Sequence, residues 1–146
     1  MKIRWSRLVL LPLTITVILG GLACAPDQKT NADVAPKLPF GGVNSPASGQ
    51  TVAGKFDATG WALSEEGIDS VSLYLDGVFL KRCVLGLPRP DVAKVHPGVA
   101  RSEASGWSGE IDPAGFAAGW HELTIQAKSG RGATRDLASL PILVQR

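Results

Sequence analysis

Between His121 and Lys128 the chain keeps an unbroken alternation, with His121, Leu123, Ile125 and Ala127 on one parity and Glu122, Thr124, Gln126 and Lys128 on the other. A period of two belongs to a strand with one buried face, because successive side chains leave opposite sides of the backbone. Val71, Leu73 and Leu75 repeat the pattern against Ser70, Ser72 and Tyr74. Asp76-Gly77 then precedes Val78-Phe79-Leu80, and both turn residues tolerate positive φ, so the spacing predicts a two-residue hairpin. Val52, Phe56 and Ala58 share a parity against Lys55, Asp57 and Thr59, with Gly60 marking an expected bulge before Trp61. Further strands are expected near Gly42 to Ser45, Trp107 to Ile111 and Thr134 to Val144, the last placed at an edge or a break by Pro141. No helix of ordinary length fits after residue 40. A single short helical turn is expected within the Leu85 to Gly106 connection, capped by Asp91 and stopped by Pro97.

Short strands punctuated by Gly, Pro, Asp and Ser, about seven in all, make an all-β fold, a two-sheet antiparallel sandwich of immunoglobulin type. It would lack the usual disulfide between sheets. The chain has 2 cysteines, Cys24 near the N-terminus and Cys83 in the body, and Cys83 is expected to be a buried, unreactive thiol.

The first residues read differently. Lys2, Arg4 and Arg7 precede an apolar run from Leu8 to Leu19, followed by Gly20-Gly21-Leu22-Ala23-Cys24, the order of a secretory signal. The run is too short for a spanning helix, which needs about 20 apolar residues. Gly21-Leu22-Ala23-Cys24 resembles the lipobox of bacterial lipoproteins, although that family prefers Leu at the position of Gly21 and a small residue at that of Leu22. The resemblance implies acylation of Cys24 and a membrane anchor, with cleavage there without a lipid as the alternative. Ala25 rather than Asp after the cysteine implies the outer membrane if the host has two. Residues 25 to 39 hold three prolines and no hydrophobic period, so they are expected to form a flexible tether. The expected organisation is a signal peptide over 1–23, a tether over 24–39 and one sandwich domain over 40–146.

The formal charge is +2, from 15 basic and 13 acidic residues. Without the three basic residues of the leader, 12 stand against 13, a balance of −1, and no basic run exceeds Lys81-Arg82. Nothing there could track phosphates, so nucleic acid is not expected as a partner. Two histidines, no cysteine pair at ligand spacing and no phosphate loop leave no parts for a zinc, dithiol or nucleotide enzyme. Glu65, Glu66 and Asp69 lack the spacing of a calcium loop. No catalytic residue, metal or cofactor is therefore expected. Arg89 and Asp91 are expected to act structurally, with ligand binding as the alternative. Trp61, Tyr74, Trp107 and Trp120 are the candidate stacking surface for a carbohydrate.

The body also resembles a recurrent bacterial Ig-like accessory domain. The resemblance rests on Gly60-Trp61-Ala62, the Val71 to Gly77 hairpin, Gly86 to Val92 with Arg89-Pro90-Asp91, Pro97, Ser105-Gly106-Trp107, and Gly119-Trp120-His121-Glu122-Leu123 ending at Ala127. It covers nearly all of residues 42 to 144 and implies a module without a shared catalytic site. The function expected is a non-catalytic, lipid-anchored envelope protein with a protein partner. The alternatives are a carbohydrate-binding module and an inhibitory or stress-related lipoprotein.

Overall fold

The computed structural model describes residues 35–146; the expected signal peptide, Cys24 and most of the expected tether lie outside the described residues. Among the described residues nine strands form two sheets. In chain order they are β1 (Phe40–Ser45), β2 (Gln50–Ala53), β3 (Phe56–Leu63), β4 (Ile68–Leu75), β5 (Val78–Arg82), β6 (Val84–Leu87), β7 (Gly106–Ile111), β8 (Gly119–Ser129) and β9 (Thr134–Gln145). A short helix, α1 (Pro90–Val95), lies between β6 and β7. One sheet has the order β1-β3-β7-β6 and the other β2-β9-β8-β4-β5. This is the expected immunoglobulin-type sandwich. The core between the sheets takes Ala58, Ala62, Trp107 and Ile111 from the first, and Val71, Leu73, Leu75, Leu123, Ile125, Ala127, Ile142 and Val144 from the second. Each of these side chains sits on the inward parity of its strand, which is why the alternation is legible in the sequence.

The Asp76-Gly77 turn forms as expected, with φ of 51° and 77°, and pairs Leu75 with Val78 and Tyr74 with Phe79. Gly60 is not a bulge. The extra residue sits opposite, at Asn44 in β1, where Val43 faces Gly60 and Ser45 faces Thr59. Gly60 instead provides clearance: a Cβ there would stand 2.2 Å from the Gly42 carbonyl and 2.5 Å from the Trp107 ring. Val52 and Phe56 belong to different strands in different sheets, separated by a turn at Gly54, whose φ is 70°.

The last strand is not an edge throughout. β2 pairs in parallel with its second half, Gln50 opposite Ile142 through Ala53 opposite Gln145. Pro141 is accommodated because its carbonyl accepts from the Gly49 N–H (2.7 Å) on the side away from β8. Its nitrogen lies on that same side, so no ladder bond to β8 is lost. The folded body also begins earlier than Phe40. Pro39 is fully buried, the Lys37 N–H donates to Glu66 Oε1 (3.1 Å), and the Lys37 ammonium pairs with Glu65.

Candidate functional site

The four aromatic residues of the expected stacking surface do not share a face. Trp107 is 1% exposed and fills the core, so it offers nothing to a ligand at the surface. Trp61 points outward from β3, on the four-stranded sheet, where it packs edge-on against Phe40 (6.1 Å between centroids) and beside His96 (5.4 Å). That contact fastens the segment after α1 to β1 and β3. Tyr74 and Trp120 do share a surface, the outer face of the five-stranded sheet. Tyr74 leaves β4 on the parity opposite Leu73 and Leu75, and Trp120 leaves β8 opposite Leu123 and Ile125.

Phe79, absent from the expected set, belongs to this surface. It faces Tyr74 across the hairpin and packs edge-on against it, with centroids 5.6 Å apart. The signal was present in the sequence, since a two-residue turn at Asp76-Gly77 obliges 74 and 79 to pair. Phe79 is 53% exposed, and Trp120, at 63%, more so. Thr124 lies beside Tyr74 in the register, and Trp120 is four residues back along β8, so the two aromatic groups stand about 13 Å apart. Hydrogen-bonded polar pairs border them: Thr124 with Ser139 (2.8 Å) and Gln126 Nε2 donating to Asp136 Oδ1 (2.9 Å). Glu122 and Pro141 occupy the row between.

Arg89 and Asp91 come together as a pair. The Arg89 Nε donates to Asp91 Oδ1 (2.9 Å), Nη2 to Oδ2 (2.7 Å) and Nη1 to Asn44 Oδ1 (2.9 Å). Asp91 does not cap α1. Pro90 takes the first helical position, so Asp91 falls in the first turn, Arg89 stands at the cap, and no side chain caps the N-terminus. The guanidinium holds the Asp91 carboxyl down at about 2. The fork ties the α1 segment to the β1 bulge, which aims Asn44 at Arg89. Arg89→Ala is expected to lower thermal stability, and Arg89→Lys to restore little of it, because an ammonium cannot make the planar two-bond fork. Thermal unfolding followed by circular dichroism checks this, and full rescue by lysine would show that charge alone suffices.

The residues with chemical potential are engaged elsewhere. Both nitrogens of His121 meet acceptors, Asp76 Oδ2 at Nδ1 (2.6 Å) and the Ala117 carbonyl at Nε2 (2.8 Å). Two acceptors favour the doubly protonated ring, and the Asp76 hydrogen bond raises the His121 pKa first of all, followed by that to Ala117. Burial pushes the half-buried Cys83 thiol up to about 11, so it is not a ready nucleophile. The Glu66 side chain is mostly buried and receives bonds from the Lys37 N–H and Ser129 Oγ. Among the described residues no three His, Cys, Asp or Glu converge as a metal site would require.

Residues 39–125 match the family model of a bacterial Ig domain. No curated protein matches the chain in sequence. Among solved structures, an endo-beta-1,4-mannanase from Thermotoga petrophila superposes with a TM-score of 0.54 at 11% identity, over 80% of this chain and 21% of the mannanase. The fibronectin(III)-like modules of Clostridium thermocellum CbhA give 0.47 at 17% identity, over 72% of this chain and 45% of theirs. The Bacteroides ovatus SGBP-B from a mixed-linkage glucan utilization locus, in complex with a mixed-linkage heptasaccharide, gives 0.34 at 12% identity, over 77% and 24%. This chain thus spans about a fifth of the mannanase and under half of the other two. At such identities the likeness to the mannanase is one of fold.

Proposed function

The chain belongs to the bacterial Ig domain family, and on that premise we propose that it is a non-catalytic module of the cell envelope. In this reading it is anchored through an acylated Cys24 and engages a protein partner with the outer face of its five-stranded sheet. The observation that carries the reading is the exposed aromatic surface of Tyr74, Phe79 and Trp120. Aromatic side chains offer large contact area at little conformational cost, which is why they dominate the centres of protein interfaces. Support for a module without catalysis comes from His121, held by Asp76 and Ala117, and from His96, packed against Phe40 and Trp61.

A carbohydrate partner is the second reading, favoured by the same three aromatics lying on one face with polar side chains between them. One set of measurements separates the two. The full chain, retained in the envelope, is crosslinked to its neighbours and in parallel tested on a glycan array. The expected result is a captured protein whose yield falls about tenfold or more with Phe79→Ala or Trp120→Ala, the effect of losing an interface anchor. Glycan binding lost with Trp120→Ala would establish the second reading. Capture indifferent to both substitutions would overturn the assignment of this face. For the anchor, fatty-acid labelling of the wild type but not of Cys24→Ser is expected; equal label, or none in either, would overturn it.

A further inference from the structure

We propose that a cleft where β3 runs into β4 binds a small organic monoanion with an apolar body, its carboxylate held by Arg101. The cleft measures about 390 Å³ and lies where β3 runs into β4, closed by β6 and by the turn at Ser102–Ala104. That volume is within the range of small-molecule sites, about 300 to 1,000 Å³. Ala62, Leu63, Ile68, Leu85 and Ala104 give it an apolar lining. Nothing stands within 4 Å of the position a Cβ would take at Gly67 or Gly86, so the backbone itself fronts the open space.

Polarity in the lining comes from three side chains, of which two are satisfied locally. Ser64 Oγ accepts from the Glu66 N–H (3.2 Å), and Ser105 Oγ donates to the Ser102 carbonyl (2.8 Å). Arg101 is the one ionisable group in the lining, and it makes no side-chain hydrogen bond or ion pair among the described residues. No acid lines the cleft to compete for it. The backbone places it there at some cost: Arg101 has φ 62° and ψ 20°, a left-handed conformation uncommon outside glycine, asparagine and aspartate. Such outliers cluster where a side chain is held for a purpose. Gly86, also in the lining, is the extra residue of a β-bulge between Leu85 and Leu87, which leaves it unpaired in the ladder. An exposed arginine in the lining of a cleft that holds no acid selects an anion for its charge and an apolar body for the remainder. Two parallel N–H donors suit a carboxylate.

The test uses octanoate, 1-octanol and octylammonium as probes, with amide chemical shifts of the full chain as the readout. Octanoate is expected to shift residues 62–68, 85–86 and 100–106 saturably, while octanol and octylammonium bind at least tenfold more weakly. Arg101→Asn removes the charge but suits the left-handed backbone, so the fold is kept; it is expected to weaken octanoate about tenfold or more. Ala104→Phe, which fills the cleft from its rim, is expected to abolish the shifts while leaving Arg101 in place. Binding of octanol or octylammonium as tight as octanoate, shifts elsewhere in the chain, no shifts at millimolar octanoate, or an Arg101→Asn variant of unchanged affinity would each overturn the proposal.

Discussion

Trp107→Ala is expected to destabilise the domain by about 3–5 kcal/mol, the range for truncating a large aromatic in a close-packed core. Trp107 is 1% exposed and leaves β7, an interior strand of the four-stranded sheet. Its ring lies against Gly60 of β3, the position where a Cβ would collide with both the ring and the Gly42 carbonyl. The slot is therefore shaped by β3 having no side chain there, and its rigid backbone wall cannot collapse into the space an alanine would leave. Domains of this size are stable by about 5–15 kcal/mol in total, so the loss is a large share. Trp107→Phe is expected to cost clearly less. It keeps much of the ring, and it removes an indole N–H that is buried without a hydrogen-bond partner. Urea unfolding of the three proteins measures both differences. A Trp107→Ala cost below about 1 kcal/mol would show that the slot can close.

Much of this core was legible because it rests on local alternation. The parity of Leu123, Ile125 and Ala127, and that of Val71, Leu73 and Leu75, names the inward face without knowledge of which strands pair. Trp107 shares the parity of Ile111, which already separates it from an outward stacking role. Other elements depend on partners distant in sequence. β1 and β2 are short strands that go to different sheets, and β6 is four residues with a bulge at Gly86, too short for a period to declare itself. Nine strands form among the described residues where about seven are expected.

The sites divide along the same line. Phe79 follows from the turn at Asp76-Gly77 by counting, and the Arg89–Asp91 pair from adjacency. The cap expected at Asp91 fails because Pro90 shifts the helix start by one residue. The cleft at Arg101 is assembled from three stretches, 62–68, 85–86 and 100–106, and the φ of 62° at Arg101 has no signature in a non-glycine residue. No reading of spacing could have found it.

Asp76→Ala is expected to cost about 2–3 kcal/mol, with a dependence on pH that locates the cause. The Asp76 carboxylate closes the β4–β5 turn onto β8: Oδ1 accepts from the Glu122 N–H (2.8 Å), Oδ2 faces His121 Nδ1 (2.6 Å), and the Asp76 N–H donates to the Glu122 carbonyl (2.8 Å). Alanine loses both carboxylate bonds and must also hold φ near 51°, where aspartate is tolerated and alanine is not. The carboxylate is about half exposed, which keeps the figure modest. In the folded state the Glu122 N–H, and then His121, lower the Asp76 pKa below 3.8, while Asp76 and Ala117 raise that of His121 above 6.5. The His121 contribution is therefore complete below pH 6.5 and is lost as pH rises through the raised value. The Asp76 contribution is complete above pH 3.8 and is lost as pH falls through the lowered one. Wild-type stability should thus carry a plateau between about 4 and 6.5 that falls away on both sides. Asp76→Asn sharpens the test. An amide can still accept from Glu122 and can donate to a neutral His121 whose Nε2–H remains on Ala117, so much of the stability should survive while the fall above pH 6.5 flattens. Chemical denaturation across pH 3 to 9 for the three proteins reads this directly. An unchanged alkaline fall in Asp76→Asn would show that the His121–Asp76 pair is not its source.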